Sequence, residues 1–415
     1  MDLTYSSEDQ AFRLKVRAWL AARLPVKRDT LADRRAWHAQ LLAAGFVGMG
    51  WPREFGGREA RPVQQAILTE EMTRAGAPPH ASGPGMSLVA PTLFALGSEA
   101  QKRRYLPRIL SAEELWCELY SEPNAGSDLA SLRTAAVRDG DCYVVNGQKI
   151  WTSAGFNAHL GILLARTNPD VPKHQGISYF IVDMRTPGID VRPLRQITGD
   201  AEFCEVFFTD VRIPAENMIG AEGEGWRGAQ MTLSYERGGN ALSAATGRRL
   251  ALDRVIDTCR RNGMLADPRV RNKLGRMLVD IEVMRAAGLR MLSSAEKGQR
   301  PGAESSVQKL SASEMEKRHQ DLMQEILGSF GQLTEPCDVP EPYAVHQTGS
   351  TISGEPIPDT WAFPYTWSRA LTILAGTSEI QRNNHCRARP RPPPRASRRP
   401  TLSGSTALTR EQQTG

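Results

Sequence analysis

Leu119-Tyr-Ser-Glu-Pro-Asn-Ala-Gly-Ser-Asp128 divides two kinds of sequence. Before it, apolar residues recur at helical spacing. After it the period falls to two and hairpin turns appear. Pro123 removes an amide donor, and Asn124 and Gly126 permit unusual backbone angles. Ser121, Ser127 and Asp128 bring hydroxyls and a carboxylate beside exposed backbone amides, so the loop can present donors to a planar polar ring or a phosphate. The same residue types also serve any helix-to-strand loop for conformational reasons alone. Its neighbours decide its meaning.

Upstream, Ser6 and Ser7 followed by Asp9 and Gln10 match a capping box. Phe12, Val16, Trp19 and Leu20 then line one helical face until Pro25 stops the pattern. Further helices are expected around Trp37, Leu41 and Leu42, over 62–75 and over 88–110, so residues 1–115 read as an α-helical domain. Downstream, 134–137, 143–145, 149–151, 160–166, 177–184 and 202–208 read as strands, with Asp139-Gly140 and Asn146-Gly147 as hairpin turns. No long helix fits between them, so 116–219 is expected to form an antiparallel β-barrel or sandwich. Helical periodicity returns at Trp226 and breaks at 261–268 and 297–304. It predicts an α-helical bundle over 220–382, interrupted by a loop rich in Pro, Gly and Thr at 334–365, with a last helix starting near Tyr365. The fold class is α+β multidomain, in the order α, β, α.

Bulk properties exclude several functions. The 415 residues are 40% hydrophobic and 24% charged, as in ordinary globular proteins. No apolar run approaches the roughly 18 residues of a membrane span. The first residues lack the basic and then apolar regions of a signal peptide. Six scattered cysteines and seven dispersed histidines support neither a disulfide scaffold nor a metal site, and a cytoplasmic location is expected. The net charge of +6 suggests nucleic acid only until it is located. Seven of the 52 basic residues and one of the 46 acidic ones, Glu411, lie beyond 382, so the body carries 45 of each and is neutral.

Trp51-Pro-Arg-Glu-Phe-Gly-Gly57, Gln101-Lys102 with Leu106-Pro107, the Ser121–Asp128 loop, Asn146-Gly-Gln-Lys-Ile-Trp-Thr-Ser153 and Gly376-Thr-Ser-Glu-Ile-Gln-Arg382 occur in one order along the chain. Together they resemble the acyl-CoA dehydrogenase family over nearly all of residues 3–382. The resemblance implies an FAD-dependent enzyme that desaturates an acyl-CoA thioester between its α and β carbons, passing hydride to the flavin. It implies a dimer or tetramer, and electron-transferring flavoprotein or a similar acceptor as partner. It places the backbone of Leu119 and the hydroxyl of Ser121 on the flavin ring, and Gly126 and Ser127 at the flavin–substrate junction, Ser127 also meeting the CoA. It puts Trp151, Thr152 and Ser153 beside the isoalloxazine, and Gly328, Thr377 and Glu379 with the remaining cofactor contacts. The competing reading of Trp151 is a strand aromatic covering core.

The α proton of a thioester needs a carboxylate whose pKa is raised toward neutrality. The family carries that base in one of two places. One immediately precedes the Gly-Thr-Ser motif, where this sequence has Ala375, which cannot take a proton. The other is a Glu-Arg pair on the helix after the β domain, here Leu233-Ser-Tyr-Glu-Arg-Gly-Gly239, as in isovaleryl- and long-chain-type members. Glu236 is therefore the expected base and Arg237 the expected substrate contact. Gly239, Asn240 and Ser243 are small and leave room for an acyl group, although glycine inside a helix costs roughly 1 kcal/mol relative to alanine.

Two departures stand out. In many relatives a partner subunit supplies an Arg-x-x-Phe-Gly segment and a Gln-Ile-x-Gly-Gly-x-Gly segment to the flavin. Here Cys259 takes the arginine place and Glu325 the glutamine place. After Asn383 the familiar ending Ile-Ile-Ala-Glu-Arg-Val-Leu-Gly is replaced by Asn384-His-Cys-Arg-Ala-Arg-Pro-Arg391, the string that one base inserted ahead of codons for that ending would encode. The Pro/Arg-rich tail 383–415 is thus expected to be frameshift-derived and unpacked. These departures leave two further readings: a non-catalytic subunit of a mixed acyl-CoA dehydrogenase oligomer, and a nucleic-acid-binding member of the fold, which the neutral body disfavours.

Overall fold

Ser6 accepts the amide of Asp9 through its side chain and starts α1 (Ser7–Ala21). Thr30 and Asp33 form a reciprocal capping box for α2 (Leu31–Ala43), and Ser98 and Gln101 one for α5 (Glu99–Leu110). Between them run α3 (Pro62–Arg74), a single π-turn at 85–89, and α4 (Ala90–Leu96), which Gly97 separates from α5. The expected helix at 88–110 is therefore two helices. The computed structural model describes residues 5–28, 30–238, 241–299, 302, 304–333 and 361–388; for 235–238 and 387–388 the description stops at the backbone. Among these residues no helix is long and apolar enough to cross a membrane.

A sheet of seven strands follows: β1 (Trp116–Leu119), β2 (Ala135–Asp139), β3 (Cys142–Ser153), β4 (Leu160–Arg166), β5 (Ile177–Asp183), β6 (Ile189–Leu194) and β7 (Phe203–Pro214). Its order is β1-β4-β2-β3-β7-β6, with β5 on β4. The pairings are antiparallel except β1 with β4 and the single β2–β4 contact, which are parallel. The parallel pair arises because β1 enters from the helical side, and it corrects the purely antiparallel expectation. Asp139-Gly140 turns β2 into β3 as expected, with Gly140 at φ 64°. Asn146-Gly147 does not. It lies inside the 12-residue β3 at a bulge, where the Asn146 side chain and Asp210 exchange hydrogen bonds of 3.0 and 2.9 Å across to β7. A Cβ on Gly147 would meet Thr134 at 2.5 Å, so the close strand approach, rather than a turn, requires glycine here.

Both faces of β4 and β5 are covered, which explains their continuous apolar sequences. Ile162, Leu164, Ile177, Tyr179 and Ile181 pack toward α4 and α5, while Leu163, Ala165, Phe180 and Val182 pack into the barrel interior. The C-terminal helices are α6 (Gly225–Gly238), α7 (Ala241–Arg261), α8 (Pro268–Glu296), α9 (Glu304–Leu327), α10 (Ala362–Ala370) and α11 (Ser378–Ala388). The two expected breaks fall between α7 and α8 and between α8 and α9. The loop expected at 334–365 lies outside the described residues as far as 360, and α10 begins at Ala362 rather than near Tyr365. α11 continues through Asn383 to Ala388, so the change of sequence at 383 does not end the helix. No proline lies between Ser378 and Pro390, and helical propagation needs only successive amide donors. The tail from 389 onward lies outside the described residues.

Candidate functional site

The loop after β1 is held from beneath. Lys149, on β3 and wholly buried, donates from Nζ to the Tyr120 carbonyl at 3.0 Å and to Glu122 Oε1 at 2.9 Å. Glu122 also accepts the backbone amides of Arg133 and Thr134 at 2.6 and 2.8 Å. Burial pushes the Lys149 ammonium down to about 8, against the pull of Glu122. Burial likewise pushes the Glu122 carboxyl up, but Lys149 and the two amides outweigh it and keep it below its ordinary value. A buried ion pair persists only when its remaining lone pairs and protons are satisfied, as they are here. The Ser121 carbonyl accepts the Ile150 amide at 2.9 Å, and Glu122 and Ala125 exchange backbone bonds of 3.2 and 3.0 Å around Pro123-Asn124. An irregular loop thus becomes a fixed wall.

The end of β3 forms the adjoining surface. Trp151 sits at φ 63°, a left-handed conformation rarely adopted by bulky residues, within an irregularity between Lys149 and Thr152. Its indole is 55% exposed. Its edge meets Phe203 at 5.9 Å, and Phe203 stacks on Trp367 of α10 at 5.8 Å, so the bundle reaches the end of β3. Thr152 is wholly buried, yet its Oγ1 has no hydrogen-bond partner. Ser153 and Ser121 are half-buried, Gly126 and Ser127 are exposed, and a Cβ at Gly126 would meet nothing within 4 Å. Leu119 is fully buried at the end of β1, which leaves only its backbone to offer. An exposed aromatic face, an unpaired hydroxyl and open space beside a glycine fit a planar, hydrogen-bonding cofactor ring.

A second group gathers on α9 and α11. Ala375 and Gly376 take successive left-handed conformations, at φ 52° and 84°. Lys309 of α9 spans their turn, donating to the carbonyls of Leu371 and Gly376 at 2.8 Å each. The buried Gln381 amide donates to the Ala375 and Gly376 carbonyls at 2.8 and 3.2 Å. Thr377 Oγ1 accepts the Ile380 amide and begins α11, Ser378 donates to Glu314 at 2.7 Å, and Glu379 is exposed beside Arg382. Gly328, at φ 55°, closes α9. Glu236 and Arg237 stand on α6, one turn beyond the buried Thr232; their side chains lie outside the described residues.

Cys259 is fully buried in the bundle core, where burial raises its thiol to about 11, so it offers nothing to a neighbouring chain. Glu325 is paired with Lys273 of α8. The pairing of Glu122 with Lys149, and the places of Tyr120, Tyr179 and Trp367, are not among the sequence expectations. Lys149 had a signal: it lies at an inward position in the alternation of β3. Trp367 had none, because its contact with Phe203 joins residues far apart in the chain.

Three family models match successive parts of the chain: the acyl-CoA dehydrogenase N-terminal domain over 6–113, middle domain over 117–211 and C-terminal domain over 223–388. Acyl-CoA dehydrogenase IpdE1 of Mycobacterium tuberculosis (strain ATCC 25618 / H37Rv) is 38% identical over 387 residues, covering 90% of this chain and 95% of the relative. A solved structure described as the Tcur3481-Tcur3483 steroid ACAD superposes with a TM-score of 0.78 at 30% identity, covering 93% of this chain and 98% of the other. The ChsE4-ChsE5 complex from Mycobacterium tuberculosis matches with a TM-score of 0.78 at 30% identity, covering 94% and 98%.

Proposed function

From the premise that this chain belongs to the acyl-CoA dehydrogenase family of flavin-dependent oxidoreductases, we propose that it holds FAD on the 119–128 and 151–153 wall and uses Glu236 as its base. The observation that carries the choice of base is Ala375. Its turn is wired by Lys309 and Gln381 around a methyl group, so the helix-borne Glu236 is left to take the α proton. The flavin, when bound, accepts the β hydride and so supplies the redox chemistry that side chains lack. The wall residues would hold the ring: Trp151 would cover a face, and Ser121, Thr152 and Ser153 would offer hydroxyls to it. Gly126 and Ser127 would leave room for the thioester, and Arg237, next to Glu236 on α6, is assigned to the substrate.

The same reading makes this chain one half of a mixed oligomer acting on a steroid-derived acyl-CoA. Support comes from the relatives described as a two-chain steroid ACAD and as a ChsE4-ChsE5 complex. It also comes from Cys259 and Glu325, which offer no cation or amide where a second copy's flavin would need one. The test is the visible flavin band of the purified chain, alone and with a second acyl-CoA dehydrogenase chain, on adding straight, branched and steroid acyl-CoA thioesters. Bleaching that Glu236→Gln slows by about 10²- to 10⁴-fold, with FAD still bound, is expected, the range for losing a general base. Near-normal bleaching in Glu236→Gln would remove the assignment.

A further inference from the structure

Four hydroxyls meet where the three parts of the chain join. Tyr120 follows β1 on the flavin-side loop, Tyr179 is on β5, Thr232 on α6 and Thr92 on α4. All four are buried. Tyr120 and Tyr179 hydroxyls are 2.5 Å apart, Tyr179 and Thr232 3.2 Å, and Thr232 and Thr92 2.6 Å. Thr92 also reaches the Leu88 carbonyl at 2.8 Å, and Thr232 the Gly228 carbonyl at 3.1 Å. Burial raises both phenols above their ordinary value, so each keeps its proton.

These contacts outnumber the protons. Four hydroxyls bring four protons to five contacts, so the direction of donation is constrained. The Tyr120 hydroxyl has Tyr179 as its partner at hydrogen-bond distance, and a buried donor left unused is costly. Tyr120 therefore donates to Tyr179, and Tyr179, having accepted, donates to Thr232. Thr232 passes its own proton to Thr92, which serves Leu88, or to Gly228 directly. Either way the polarity runs from the flavin-side loop toward α6 and ends on a helix carbonyl.

Tyr120 lies between Leu119 and Ser121, and Lys149 holds its carbonyl. Thr232 is one helical turn before Glu236, on the same side of α6. We propose that Tyr120, Tyr179 and Thr232 form a one-way hydrogen-bond chain, joined by Thr92 of α4, that sets the register of α6, and with it Glu236, against the flavin wall, with Tyr179 as the link that cannot be spared. The proposal rests on the reading of Glu236 as base and of 119–128 as the cofactor wall. Tyr179 is a positioning residue: it acts through the helix, where a shift near 1 Å costs roughly 100-fold in rate.

The polarity yields a test by sign. In Tyr179→Phe the Tyr120 proton is orphaned; in Tyr120→Phe the Tyr179 proton still has Thr232. The FAD-loaded Tyr179→Phe variant melts lower than wild type by a few °C, on the order expected for one buried unsatisfied group. Tyr120→Phe melts closer to wild type, and adding Tyr120→Phe to Tyr179→Phe raises the melting temperature again. Hydrogen exchange of the α6 amides over 225–238 quickens in Tyr179→Phe and stays quick in the double variant, because the tie is gone even where stability has returned. Flavin bleaching by acyl-CoA slows about 10- to 100-fold in both, with little change in KM. A Tyr120→Phe that melts as low as Tyr179→Phe overturns the polarity, as does an unchanged Tyr179→Phe with Tyr120 turned directly onto Thr232. Unchanged α6 exchange overturns the tie, and unchanged bleaching with quickened exchange overturns the positioning role. If wild type bleaches with no thioester, the proposed function fails, while melting and exchange still decide the hydrogen-bond chain.

Discussion

Two lysines hold two irregular turns in this molecule, and they do it differently. Lys149 is wholly buried beneath the 119–128 loop and shares its charge between a carbonyl and the carboxylate of Glu122. Lys309 is half-buried beneath the 371–377 turn and gives two equal bonds to backbone carbonyls, with the Gln381 amide beside it. In the first turn a charge has left water, so every bond around it is needed. In the second the charge is closer to solvent and a neutral amide shares the work. The turn beside the proposed cofactor should therefore fail abruptly when touched, and the turn around Ala375 gradually.

The largest expected effect tests that directly. Lys149→Met leaves Glu122 buried without its cation, and breaking a buried pair this way costs about 3–5 kcal/mol. Thermal unfolding of the middle sheet and FAD content should fall together. Retention of FAD with unchanged melting would break the contrast between the turns.

Acid gives a second view of the same pair. The Glu122 carboxyl is held below its ordinary 4.5 in the folded chain, so its stabilisation is fully present above that value. It is lost as the pH falls through the depressed folded value, because the unfolded chain takes up the proton first. The difference in melting temperature between wild type and Glu122→Gln should hold steady from pH 7 to about 4.5 and shrink below it. A gap that widens in acid would mean that Glu122 is not the ionised partner.

Lys309→Met should cost less, about 1.5–3 kcal/mol, the range for hydrogen bonds to a charged donor. Gln381 still spans Ala375 and Gly376, so the turn loosens without opening. Limited proteolysis within 371–377 would register this while FAD content stays near wild type. Equal losses of FAD from Lys149→Met and Lys309→Met would erase the distinction.

The sequence exposed the part of this arrangement that is local. Ser121, Gly126 and Trp151–Ser153 sit in motifs whose turn residues and strand alternation are read over a few positions, and they meet in one wall. The α–β–α order was legible for the same reason, since helical and strand periods differ. What stayed hidden is what long-range packing creates. Asn146-Gly147 has the composition of a hairpin turn, but pairing with Asp210 on β7 makes it a bulge. The sequence departs from the family's usual ending after Asn383, yet α11 runs on to Ala388 because helix propagation depends on the preceding turn. Tyr120, Tyr179, Thr92 and Thr232 are scattered across three parts of the chain, and no spacing rule joins them.

Strain offers the finest comparison, because each turn region holds a non-glycine residue in the left-handed region. Trp151, at φ 63°, spends that strain on turning a large ring outward. Ala375, at φ 52°, has only a methyl group, and the backbone around it is fixed by Lys309 and Gln381 whatever its side chain. Ala375→Gly should relieve roughly 1–2 kcal/mol of left-handed strain. It should also add back about 0.5–1 kcal/mol through the greater freedom of the unfolded chain. The net lies between about zero and about 1.5 kcal/mol of stabilisation, seen as an unchanged or slightly raised melting temperature with flavin bleaching unchanged. A clear loss of stability would show that the Ala375 methyl group packs against something the turn needs. The 371–377 turn would then join the 119–128 loop as a structure with no slack.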